Sequence, residues 1–140
     1  NYSGKPWLAQ KWSRAILDSF YGSTPYHGWE GDEDEGQMGG WYVMSALGLF
    51  EMNGGVSLKP ELELSSPLFN KITIRLDPSY YKGKTFTIEA RNNSKENIYI
   101  QKAYLNGKEL KQPRIPFVAI VSGGTLLLEM GDKPKFDCFN

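Results

Sequence analysis

The sequence has few of the residues from which redox, zinc and nucleophile sites are usually built. Cys138 is the only cysteine, so no internal disulfide can form, and no CxxC or Cys/His cluster offers zinc ligands. His27 is the only histidine. GxSxG is absent, which leaves Ser-His-Asp hydrolysis without support. Neither sign of charge is in excess: 16 Lys and Arg offset 16 Asp and Glu, and no basic stripe exists to attract nucleic acid or anionic lipid. Nucleic acid is therefore not an expected partner. The longest apolar stretch, Trp41 to Phe50, is interrupted by Ser45 and Gly48. It falls well short of the about 20 residues that cross a bilayer, so no membrane span is expected. An initiator Met and a charged-then-apolar leader are also missing. The chain opens at Asn1 within a few residues of a helix signal and reads as part of something longer, in which a signal peptide would lie upstream.

What is present divides into a helical and a strand-rich part. All four tryptophans fall at or before Trp41, a density that suits packing, and also stacking on sugar rings. Pro6 fits a first helical turn, and Leu8, Trp12, Ala15, Ile16 and Phe20 recur at helical spacing until Gly22 supplies a stop. The spacing predicts an amphipathic helix from about Pro6 to Tyr21. A loop follows, Gly22 to Gly36. Gln37 to Gly48 is then apolar around nearly its whole circumference, through Met38, Trp41, Tyr42, Val43, Met44, Ala46 and Leu47. Such a helix needs burial on most sides, more than the rest of this chain can supply.

After Phe50 the pattern turns to short alternating runs. Strands are expected at Lys71 to Leu76, Lys84 to Ala90, Glu96 to Lys102, Ala103 to Leu105 and Thr125 to Met130. Asn106-Gly107 is a type I′ hairpin signal, because both turn positions need positive φ. The expected fold class is α+β, two helices followed by an antiparallel sandwich-like module, divided into residues 1–52 and 53–140.

The chemically loaded stretch is His27-Gly28-Trp29-Glu30-Gly31-Asp32-Glu33-Asp34-Glu35-Gly36-Gln37. Five acids this close repel one another, which is tolerated where they are solvated, hold a cation, or are fixed by a functional site. Asp34-Glu35-Gly36-Gln37 also fits a capping box, with Asp34 as N-cap and Gln37 reaching back. A cap role and a base role would compete for the oxygens of Asp34, and the sequence leaves both open. An EF-hand fails, since its sixth and twelfth places, counted from Asp32, hold Gln37 and Val43 instead of Gly and Glu. Asn92-Asn93-Ser94 is formally a glycosylation sequon but reads as a turn between strands.

Lys5-Pro6-Trp7 with Gln10, Phe20-Tyr21-Gly22, Gly31 through Met38 and Trp41 through Gly48 closely resemble the carboxyl-terminal part of glycoside hydrolase family 92, the calcium-dependent exo-acting α-mannosidases. Ser66-Pro67-Leu68-Phe69, Glu96 through Gln101, Leu105-Asn106-Gly107 and Met130 through Pro134 extend the resemblance over nearly the whole chain. It implies that the two helices close an (α/α)6 catalytic barrel, and that hydrolysis is inverting, with an acid on one side of the bond and a base-activated water on the other. It also implies Asp34 as the base and Asp32 as an assisting carboxylate. The chain departs from the family pattern in Asp32-Glu33-Asp34-Glu35, where many relatives have Asn-Asp-Asp-Cys, and in Gly39, where they have Ser. Calcium as cofactor, a mannose-containing glycan as substrate, the remainder of a parent polypeptide as partner, and a secreted, periplasmic or cell-surface location are implied in the same way. The general acid would lie upstream, and the calcium ligands mostly outside this segment. The rival readings are a β-type carbohydrate-binding module and a non-catalytic structural domain whose acidic loop merely caps a helix.

Overall fold

The computed structural model describes residues 1–139. The chain forms α1 (Pro6–Phe20), β1 (Tyr21–Thr24), β2 (His27–Trp29), a 3-10 turn (Asp34–Gly36), α2 (Gln37–Leu47) and β3 (Leu49–Phe50). There follow β4 (Glu61–Leu64), β5 (Lys71–Arg75), β6 (Thr85–Arg91), β7 (Tyr99–Leu105), β8 (Lys108–Glu109), β9 (Arg114–Pro116), α3 (Phe117–Val121) and β10 (Gly124–Gly131). The class is α+β, as expected.

Alternation builds the strand module. In β6 the side chains of Phe86, Ile88 and Ala90 point inward and are buried, and in β10 those of Leu126, Leu128 and Met130 do the same. They meet Leu49, Leu62, Leu64 and Ile115 from the three-stranded sheet β3-β4-β9 in one continuous core. Two sheets thus share a core, in the manner of a sandwich.

The five-stranded sheet has the order β5-β6-β10-β7-β8, and here the antiparallel expectation is corrected: β10 pairs with β6 in parallel and with β7 antiparallel. The reason is topological. β6 and β7 run in opposite directions with β10 inserted between them, and any strand between two opposed strands must be parallel to one. Hairpin signals report only on neighbours in sequence, so they could not reveal this. The two strands expected at Glu96 to Lys102 and Ala103 to Leu105 are one strand with a register shift, Glu129 facing Lys102 while Met130 faces Ile100. The extra residue explains why Ile100 and Ala103, three apart, are both buried. Asn106 and Gly107 adopt φ 51° and 81° in the β7–β8 hairpin, as that turn requires.

The helices join the sheets at Gly48. Its φ is 75°, and a Cβ there would lie 2.9 Å from Pro67 N. Across this junction Ser65 N–H donates to the carbonyl of Gly48 and Leu68 N–H to that of Ala46, at 2.8 and 3.0 Å. α1 docks in a way its apolar stripe did not foretell. Leu8, Trp12 and Phe20 are exposed, and it is Gln10, Arg14 and Leu17 that are buried. Gln10 Oε1 accepts the N–H of Ile100 at 2.9 Å. The Arg14 guanidinium donates to the carbonyl of Pro67, to Asn93 Oδ1 at 3.1 Å and to the carbonyl of Ser94 at 2.8 Å. Asn92, at φ 59°, and these two residues form the turn expected in place of a glycosylation site. Burial lowers the Arg14 pKa, with Asp18 opposing.

The apolar stripe of α1 and much of α2 therefore remain uncovered among the described residues; Val43, near the middle of α2, is 57% exposed. No helix among the described residues is long and apolar enough to cross a membrane. The Cys138 thiol is buried at the edge of the core, and its pKa is pushed up to about 11, chiefly by that burial.

Replacing Arg14 tests the docking. Arg14→Ala strands three acceptors and should lower the unfolding free energy by about 2 to 4 kcal/mol in denaturant titration. Arg14→Lys should recover less than half, because one ammonium cannot reproduce the planar fork. Full recovery by lysine would show that charge alone matters.

Candidate functional site

The stretch from Gly22 to Gly36, expected as loop, contains the β1–β2 hairpin, with Tyr21 opposite Trp29 and Thr24 opposite His27. Helix and hairpin are continuous, since Tyr21 is already extended where α1 ends. Gly22 is needed for a different reason than a helix stop: a Cβ there would lie 2.2 Å from the carbonyl oxygen of His27 on the facing strand. His27 itself is exposed, and its backbone N–H donates to Thr24 Oγ1 at 3.1 Å.

Tyr21 locks this hairpin to α2. Its ring stacks on Trp41 at 5.6 Å between centroids and tilts against Tyr42 at 5.1 Å. Its hydroxyl donates to the carbonyl of Met38 at 3.0 Å. Burial, with a contribution from the negative charge of Glu33, raises the phenol pKa, so the group stays a donor. Tyr21, Trp41 and Tyr42 are thus used in packing at this point.

The capping box does not form. Glu35 and Gly36 both take left-handed conformations, φ 56° and 77°, and α2 begins only at Gln37. Gly36 occupies the N-cap position with no side-chain cap, and Gln37, expected as the third helical residue, is the first. The amide needing a partner therefore belongs to Gly39, and Glu33 supplies it: its two carboxylate oxygens lie 2.9 and 3.2 Å from Gly39 N. A Cβ on residue 39 would sit 3.2 Å from Glu33 Oε1, so the absence of a side chain at Gly39 leaves room for this contact. The carboxylate expected to cap, that of Asp34, is left uncommitted by the helix.

Asp32 and Asp34, the two predicted site residues, are both exposed on the same short stretch. Asp34 lines an open hollow of about 560 Å³ together with Glu33, Glu35 and Gln37; Asp32 does not. A second hollow of about 390 Å³, mostly apolar, shares Gln37 and is lined by Phe20, Tyr21 and Trp41 among others. A carboxylate rim beside an aromatic and apolar wall can do two things chemically: accept a proton from water and support the apolar face of a sugar ring. No three Asp, Glu, His or Cys side chains converge as a metal-binding group among the described residues.

The sequence profile of the Glycosyl hydrolase family 92 catalytic domain matches residues 1–132. The chain belongs to glycosyl hydrolase family 92. A protein of Arthroderma benhamiae described as an uncharacterized secreted glycosidase is 35% identical over 133 residues, which cover 94% of this chain and 16% of that protein. Among solved structures, a family GH92 alpha-mannosidase from Bacteroides thetaiotaomicron superposes with a TM-score of 0.86 at 31% identity, covering 98% of this chain and 17% of that one. An inverting mannosidase of the same family from strain VPI-5482 of that bacterium gives 0.82 at 35%, covering 97% and 17%. The family 92 chain thus spans about one sixth of the length of the relatives it matches, and its arrangement of helices and sheets is one these structures share.

Glu33 was not singled out from the sequence, although an acid before a helix rich in small residues was a usable signal. The two candidate caps separate in a stability measurement. Glu33→Ala should lower stability by about 0.5 to 2 kcal/mol, whereas Asp34→Ala should leave it nearly unchanged. Equal losses from both would restore Asp34 as a cap.

Proposed function

We propose that this family 92 chain supplies the general-base loop of an inverting exo-α-mannosidase that removes terminal α-mannosyl residues from glycans, with Asp34 as the base. The observation that carries the reading is the release of the Asp34 carboxylate from helix capping, which leaves it free at the rim of the acid-lined hollow. In an inverting reaction the base takes a proton from the attacking water while an acid across the bond protonates the departing oxygen, the two carboxyl groups standing about 6.5 to 9.5 Å apart. Asp34 is assigned the first task. Asp32 is assigned an assisting role as a second carboxylate, and the acid is assigned to the longer enzyme of which this chain would be a segment. That two family members of known structure are described as mannosidases supports the substrate class, and one of them is described as inverting.

The partner required by this reading is the remainder of the enzyme, including helices that would cover α2 and the outer stripe of α1 and complete an (α/α)6 barrel. Calcium belongs to the proposal as the family's cofactor, held mainly by residues outside this segment. Export from the cytoplasm accords with the secreted description of the fungal relative.

Two outcomes test the reading. The chain purified alone should not hydrolyse aryl mannosides, even with calcium present, and should self-associate or bind hydrophobic dyes through its uncovered helices. Calcium-dependent turnover by a sample free of the full enzyme would refute the assignment as a segment. In the full-length enzyme, Asp34→Asn should reduce kcat by on the order of 10² to 10⁴-fold with little change in melting temperature. Added azide, a small anion that attacks without deprotonation, should restore turnover and give a β-mannosyl azide. Near-normal activity of Asp34→Asn would remove Asp34 from the mechanism.

A further inference from the structure

The Asp34–Gly36 turn is held from both sides, yet the Asp34 carboxylate is not part of the hold. The backbone carbonyl of Asp34 accepts the N–H of Gln37. The residue before it, Glu33, reaches past the turn to Gly39 N with both carboxylate oxygens. Between these two attachments lie Glu35 and Gly36 in left-handed conformations, and for Glu35, which has a Cβ, that conformation costs on the order of 1 kcal/mol. A turn of this kind persists only where its surroundings over-determine it. No side chain in the N-cap position contributes, so the constraint on the helix side falls to Glu33. On the far side of the same helical turn, Tyr21 holds Met38 through its hydroxyl.

Glu33 is itself exposed, so packing does not explain its placement. Its contact with Gly39 N caps the helix, and it also closes a seven-residue ring, Glu33 to Gly39, that contains Asp34. We infer that Glu33 is a positioning residue: by closing that ring it fixes the direction in which the Asp34 carboxylate leaves the backbone. The inference rests on the reading of Asp34 as base. It assigns Glu33 no proton and no contact with the substrate; the required property is a hydrogen-bond acceptor at the right distance from Gly39 N, not a charge.

This requirement makes the idea separable from simple stabilisation. In the full-length enzyme Glu33→Ala should lower kcat by roughly 10- to 100-fold with KM little changed, since misplacing a reacting group by about 1 Å costs on the order of 100-fold. Glu33→Gln keeps an acceptor oxygen and should recover most of that loss. If Glu33→Ala folds poorly, the glutamine variant carries the test alone: a well-folded Glu33→Gln as impaired as Asp34→Asn would mean that Glu33 acts through its charge, and would overturn the positioning role.

A double-mutant cycle gives the decisive readout. In the Asp34→Asn background, with azide as nucleophile, adding Glu33→Ala should change turnover by less than about twofold, because a residue that acts only through Asp34 has nothing left to position. Additive losses would overturn the inference while leaving Asp34 as base. Normal kcat in Glu33→Ala, beside a large loss in Asp34→Asn, would do the same. Normal activity in Asp34→Asn would instead remove the base reading and the positioning role together.

Discussion

The Arg14 guanidinium is the constraint on which the arrangement of this chain depends. Its three acceptors, on Pro67, Asn93 and Ser94, come from two separate connections of the strand module, and all lie beyond the second helix in sequence. By gathering them on one planar group, α1 is fixed against the sheets without using its apolar stripe. Gln10 adds a bond to the backbone of β7 one turn earlier. With α1 fixed, β1 follows it without a break. Tyr21 then sets the distance to α2, and α2 sets the position of the acidic turn. The geometry around Asp34 is thus inherited through a chain of contacts that begins at a buried cation about twenty residues upstream.

A polar docking face is unusual in a helix of this composition, and it divides the labour of α1. Burying a guanidinium is costly unless its donors find partners; the two terminal nitrogens of Arg14 do, while its buried Nε finds none among the described residues, so the orientation is set by the terminal pair. An apolar stripe tolerates sliding more readily. Here the directional contact faces the strand module and the non-directional stripe, Leu8, Trp12 and Phe20, faces outward.

How much of this was legible in the sequence depended on how local the cause was. The first two helices, the β7–β8 hairpin and the longer strands follow from spacing and from Asn106-Gly107, which act over a few residues, whereas the five-residue α3 was not expected. β4 and β9 were missed because Glu61-Leu62-Glu63-Leu64 and Arg114-Ile115-Pro116 are too short for alternation to stand out. Glu63 is moreover buried, its carboxylate accepting from the side chain of Asn1. The docking face of α1 was not legible, because periodicity identifies an apolar stripe but not what covers it. At the site, the exposed acidic stretch was legible from composition, and Asp34 and Asp32 were named by the family resemblance alone. The cap was not legible, because two consecutive left-handed residues displaced the helix start by two positions, and only Gly36 of that pair advertised such a conformation. The aromatic pairing of Tyr21 with Trp41 needed the hairpin, and the hairpin lay in what read as loop.

The insertion of β10 between β6 and β7 also sets the order in which the molecule can be made. A ribosome delivers α1, the acidic turn and α2 before any strand of the larger sheet, and β10 last among that sheet's strands. Until then the larger sheet exists as two unjoined pairs, β5 with β6 and β7 with β8, each with an open edge. The surfaces that receive Gln10 and Arg14 lie on connections and strands that β10 stitches together, so the helices wait for the sheet and the sheet waits for its central strand. The acidic turn, made before the strands on which its position depends, is among the last parts of this chain to reach its final setting, and during synthesis the open edges and the uncovered helices are in view of chaperones at the same time.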